Sequence, residues 1–143
     1  MINQISVFVE NRPGALRSMT AVLAENGIDM RAFSLAETSD FGIARVIVDD
    51  VYKTTTALRD AGFVHSVTQV LGVALSDVPG GLDKVLRVLA EAGVNVEYMY
   101  AFLGGKKGED AYMIFRVADN AKASAALAAK GVRQVGQDEI AGL

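Results

Sequence analysis

The chain has no cysteine, one histidine and two prolines. Without cysteine there are no disulfides, no thiolate chemistry and no cysteine-based metal site. His65 lies in a stretch that reads as strand and lacks the Asp-Ser or Cys companions of a nucleophilic site, so a structural or exposed role is expected. The carboxylates are scattered, and no pair has a spacing suited to acid–base or metal work. Catalysis is therefore not expected, and neither a metal nor a cofactor is called for. No apolar run approaches the ~20 residues that span a bilayer. Met1-Ile2-Asn3-Gln4 lacks the charged region and long apolar core of a secretory leader. A soluble, cytoplasmic protein with no membrane association is the expectation. A net charge of −3 and the lack of any basic stripe argue against nucleic acid as a partner, since Lys106-Lys107 is the only adjacent basic pair.

What the chain does have is a repeat. Its 143 residues are 51% apolar, enough for a core. Ile5, Val7 and Val9 alternate with Ser6, Phe8 and Glu10 as in a strand. Ala15, Leu16, Met19, Val22 and Leu23 then recur at helical spacing, and Gly27 closes the helix. Two strands follow, 28–37 and 43–48. Asp49 and Asp50 can cap a helix over 51–61 that Gly62 ends, and a fourth strand covers 64–70. The same order then recurs. Pro13 and Pro79 lie 79 − 13 = 66 positions apart, and Leu16, Leu23 and Gly27 return as Leu82, Leu89 and Gly93. Beyond the second strand the offset becomes 115 − 46 = 69, pairing Val46 with Phe115 and Gly62 with Gly131. The extra length falls in the glycine-rich stretch 104–110, which reads as a flexible surface loop. Asp119 can cap the last long helix, and 132–135 starts the last strand. Little signal remains after Gln137.

Strand, helix, strand, strand, helix, strand is the ferredoxin-like βαββαβ unit, an antiparallel sheet with both helices on one face. The fold class is thus α+β with two tandem modules, 1–70 and 71–143. No linker separates them, so a side-by-side or shared-sheet arrangement about a pseudo-twofold axis is expected.

Each module joins its first strand to its first helix through a Pro-Gly turn: Asn11-Arg12-Pro13-Gly14-Ala15-Leu16, then Asp77-Val78-Pro79-Gly80-Gly81-Leu82. Proline suits a first helical turn, and glycine admits close approach of another backbone or a ligand. Unpaired N–H groups and the positive end of the dipole make such a helix start a seat for a small anion.

These turns, with Leu23-Ala24-Glu25-Asn26-Gly27-Ile28-Asp29 and Leu89-Ala90-Glu91-Ala92-Gly93-Val94-Asn95 behind them, resemble the ACT domain, here in two tandem copies over nearly the whole chain. The resemblance implies a non-catalytic regulatory protein that binds a free amino acid at an interface between ACT units and acts as an allosteric sensor. In ACT-bearing enzymes such as aspartokinase and phosphoglycerate dehydrogenase the ligand contacts the Pro-Gly turn of one unit and the second strand of another. A free-standing tandem pair is similar to sensors or partner subunits, which implies a homodimer and a metabolic enzyme as partner. The alternative is a structural module that docks a partner enzyme and keeps no ligand site.

Carried onto this chain, the ligand's carboxylate suits the N–H groups of Gly14, Ala15 and Leu16 or of Gly80, Gly81 and Leu82. Its ammonium suits Asn11 or Asp77, which could instead merely cap the helices. Its side chain would reach Arg31, Phe33 and Ser34, or Glu97, Tyr98, Met99 and Tyr100. The last three, with Phe102, could equally be packing residues. Asp77 and Glu97 favour a positively charged ligand in the second copy. An amino acid of about ten heavy atoms is expected to bind no tighter than roughly the low micromolar range.

Overall fold

The computed structural model describes residues 1–102 and 110–142. The insertion at 104–110, apart from Asp110, lies outside them. The chain divides into two compact units, a first built on Asn3–Thr68 and a second on Met1–Ile2 with Gln69–Ala141.

The first unit uses β1 (Ile2–Glu10), α1 (Ala15–Glu25), β2 (Met30–Glu37), β3 (Phe41–Val48), α2 (Val51–Asp60) and the start of β4 (His65–Leu75). Its sheet runs β2-β3-β1-β4. β3 pairs antiparallel with both neighbours, Val7 lying opposite Ala44 and Phe33 opposite Val46. The period-two residues Ile5, Val7 and Val9 meet Met19 and Leu23 of α1 and Leu58 of α2 in one core. Both helices therefore cover the same face. Full burial of a side chain such as Leu23 stabilises by about 1.5–3 kcal/mol. The other face of β1 is not left to solvent throughout, because Gln4 and Ser6 are buried there and share a hydrogen bond of 3.2 Å.

The second unit continues β4 and adds α3 (Gly81–Glu91), β5 (Val96–Ala101), β6 (Ala111–Val117), α4 (Asn120–Ala129), β7 (Gln134–Val135) and α5 (Gln137–Ala141). Strand order is β7-β4-β6-β5, the same topology as in the first unit. Its core repeats the first at matching positions: Val85 for Met19, Leu89 for Leu23, Phe115 for Val46 and Leu127 for Leu58. The strands expected at 64–70 and from Leu71 are one continuous strand, β4. β7 is shorter than its expected span, and α5 was not expected at all; the helix is held by the fully buried Ile140.

All four long helices stop in the same way. Gly27, Gly62, Gly93 and Gly131 have φ of 64°, 82°, 72° and 71°. In each case the glycine N–H and the next N–H return to carbonyls of the last turn, as in Gly27 to Ala24 and Ile28 to Leu23. This is the Schellman motif, which a Cβ would strain. Starts differ by helix. Asp50 and Asp119 cap α2 and α4 by accepting from Lys53 N at 2.9 Å and Lys122 N at 3.0 Å. Among the described residues none caps α1 or α3 with its side chain.

Candidate functional site

The absent caps are a consequence of the Pro-Gly turns. Gly14 and Gly80 are the N-cap residues, with φ/ψ of 84°/−13° and 84°/−3°. Ala15 N donates to Arg12 O at 3.2 Å, and Gly81 N donates to Val78 O at 3.0 Å. Proline at the second position, glycine in the left-handed region at the third and a closing hydrogen bond define a type II turn. Pro13 and Pro79 therefore stand before the N-cap and not inside the first helical turn as expected; the glycine between them and the helix requires it. The turn also engages two of the six amides expected to seat a carboxylate, those of Ala15 and Gly81. Among the described residues, the amides of Gly14 and Leu16, and of Gly80 and Leu82, have no partner.

A cleft lies behind each turn. In the first unit it has a volume of about 280 Å³ and is walled by Phe8, Val9, Glu10, Arg12, Ala15, Ser18 and Gly62-Phe63-Val64. In the second it has about 490 Å³, and its wall includes Ala74, Leu75, Ser76, Val78, Gly81, Lys84 and Gly131-Val132-Arg133. These positions correspond one to one at the repeat offsets. Pro79, Gly80, Val85, Asp110 and Lys130 complete the second wall. The larger volume goes with Ala74 standing where the first unit has Phe8. At the turn itself the second unit is tight: a Cβ on Gly81 would lie 2.1 Å from Ser76 O, where the matching residue of the first unit is the buried Ala15.

The expected ligand residues divide. Arg12 and Ala15 line the first cleft, and Val78, Pro79, Gly80 and Gly81 line the second. Pro13, Gly14, Leu16 and Leu82 sit beside them; the two leucines turn their side chains to the cores. Asn11 does not cap α1. Its Nδ2 donates to Thr38 O at 3.2 Å and its N–H to Asp40 O, fastening the strand end to the β2–β3 turn. Asp77 is exposed and does not cap α3. The second-strand residues line neither cleft. Within each unit β3 and β1, or β6 and β4, separate them from the far side of the sheet. Arg31 and Glu97 occupy matching β-bulges. Arg31 pairs with Asp29 at 2.6 Å, with its Nε buried and without a partner among the described residues, and Glu97 pairs with Arg116 at 3.4 Å. Phe33 and Met99 pack on the cores, Ser34 lies opposite Arg45, and Tyr98 stacks on Tyr100 at 6.5 Å.

The charge of the second cleft runs against the expectation of a cationic ligand. Glu97 is neutralised by Arg116, and neither Glu97 nor Asp77 lines the wall. Among the described residues, Lys84, Lys130 and Arg133 do line it, against Asp110. Sequence reasoning missed these residues, although the repeat maps Arg133 onto Val64 and Lys84 onto Ser18. His65 is half-buried and its Nδ1 donates to Phe63 O at 2.9 Å, a structural role. Among the described residues no group of three or more His, Cys, Asp or Glu could hold a metal ion, and no helix is long and apolar enough to cross a membrane.

A comparison with curated proteins found no match. Among solved structures, protein BT0572 from Bacteroides thetaiotaomicron is 37% identical, with a TM-score of 0.92 over 99% of this chain and 96% of that one. The ligand-free regulatory subunit of aspartate kinase from Thermus thermophilus is 18% identical, with a TM-score of 0.66 over 90% of each chain. The corresponding subunit from Thermus flavus is 19% identical at a TM-score of 0.60, covering 89% of this chain and 88% of its own. At those identities the two subunits speak for the fold alone. The family model for the ACT domain pair matches residues 1–143, so the chain belongs to the ACT domain pair family.

Proposed function

We propose that the chain is a non-catalytic regulatory protein that senses a free amino acid at its Pro-Gly turns. The observation that supports this reading most is the second cleft: a space of about 490 Å³ bordered by the Val78-Pro79-Gly80-Gly81 turn, where the amides of Gly80 and Leu82 have no partner among the described residues. A carboxylate on the Gly80 and Leu82 amides gains charge-assisted hydrogen bonds of about 1.5–3 kcal/mol each. In a homodimer, the second strand of a unit in the partner copy would close the cleft, as the family resemblance implies. A metabolic enzyme is the proposed downstream partner, and the cytoplasm the proposed location. Ligand binding would bias the packing that the enzyme reads.

Thermal unfolding with each of the twenty amino acids tests the reading. A ligand of the native state raises the midpoint, so one or two amino acids should do so, and none doing so contradicts sensing. The docking alternative draws on one observation, the exposed Phe8 and Phe41 rings 6.1 Å apart in the first unit. It would be favoured if no amino acid bound and F8S/F41S abolished capture of the enzyme.

A further inference from the structure

The two clefts are built from matching positions, so the residues at which they differ report what each has been altered to hold. In the first, Glu10 and Arg12 pair with each other and the wall carries no surplus charge. In the second, Glu10 is replaced by Ser76, Arg12 by Val78, Ser18 by Lys84 and Val64 by Arg133, and Lys130 joins the wall. Among the described residues, three cations face one carboxylate, Asp110. Arg133 is held by Glu139, which lies off the wall, whereas Lys84 and Lys130 have no carboxylate partner among the described residues.

We infer that the second unit's cleft selects an amino acid with an anionic side chain, a dicarboxylic amino acid. This rests on the sensing role proposed above and adds the class of ligand. A neutral zwitterion leaves the surplus positive charge unbalanced, and a cationic side chain adds to it. A second carboxylate balances it through Lys84 or Lys130, while Asp110 is the wall's acceptor for the ammonium. Ordinary binding of an anion at a helix start would not require Asp110, and succinate tests that point.

Calorimetry on the full chain with L-aspartate, L-glutamate, L-asparagine, L-glutamine, L-lysine and succinate decides the matter. One of the two acids should bind at least about tenfold tighter than its own amide and than succinate, with affinity falling as salt rises. K84Q or K130Q should weaken that acid about three- to tenfold and leave the amide unchanged. Both lysines are exposed, so the variants should keep the parent's circular dichroism. Should either misfold, the wild-type preference alone decides. An amide bound as tightly as its acid, or binding of lysine, overturns the ligand class and leaves amino-acid sensing standing. Succinate equal to the acid overturns recognition of the ammonium. No heat from either acid overturns the inference, and if the twenty-amino-acid scan is also blank, the sensing role falls with it.

Discussion

Placing a methyl group at Gly81 separates the steric demand of the second turn from its dihedral demand. A Cβ there would lie 2.1 Å from Ser76 O and 3.2 Å from Ser76 C. The obstacle is backbone, which cannot swing aside as a side-chain end does. Ser76 O is also held in place, accepting from Val78 N at 2.9 Å. Gly81→Ala must therefore open the turn, and overpacking of this kind costs about 1–3 kcal/mol. Taking about 2 kcal/mol, the unfolding midpoint of a chain of this length drops by roughly 4–8 °C. Gly80→Ala meets nothing within 4 Å and suffers only from its φ of +84°. It should cost about 1–2 kcal/mol. The two variants differ more sharply in function: opening the turn moves the Gly80 and Leu82 amides, so Gly81→Ala should also lose the thermal response to ligand. Urea or thermal denaturation with and without the amino acid reads both effects. A Gly81→Ala protein within about 0.5 kcal/mol of the parent, still responding to ligand, would refute the close approach of Ser76 O to this helix start.

Other perturbations have defined outcomes. Gly72→Ala would bring a Cβ to 2.3 Å from Ile2 Cδ1, 2.6 Å from Val135 Cγ2 and 3.0 Å from Val135 O; it should destabilise by about 1–3 kcal/mol and speed hydrogen exchange at Val135. Leu127→Ala, at a fully buried position on α4, should cost about 2–5 kcal/mol in denaturation, and Leu58→Ala a similar amount in the first unit. Asp50→Ala and Asp119→Ala each remove a cap bond and should cost about 1 kcal/mol. Replacing both should cost the sum, because the caps sit on different helices.

Much of the fold could be read from local rules because those rules are obeyed twice. Alternation in Ile5, Val7 and Val9, helical spacing in Met19 and Leu23, and glycines at 27, 62, 93 and 131 each describe geometry set within a few residues. A constant offset then turned one weak Pro-Gly signal into two registered ones. What escaped was set by distant chain. Nothing in Gln137–Ala141 announces a helix; burial of Ile140 makes it one. Pro13 reads as a first-turn proline, and the αL conformation of Gly14 places it ahead of the N-cap. Glu97 looked like a free carboxylate until the register of β5 and β6 set Arg116 beside it. Lys130 and Arg133 come to the second cleft from the end of α4, some fifty residues beyond the turn they face. Composition could not give their location, though the repeat mapping of Gly62-Phe63-Val64 onto Gly131-Val132-Arg133 carried the hint.

The reading of this chain as a sensor depends on open amides at a Pro-Gly turn holding the carboxylate of an amino acid. Titration of the ¹⁵N-labelled chain with each amino acid, followed by amide NMR, examines that directly. Saturable shifts are expected, centred on Gly80, Leu82 and Asp83 and on the cleft wall at Lys130 and Gly131. Shifts confined to other surfaces, or spectra unchanged by all twenty amino acids, would contradict it.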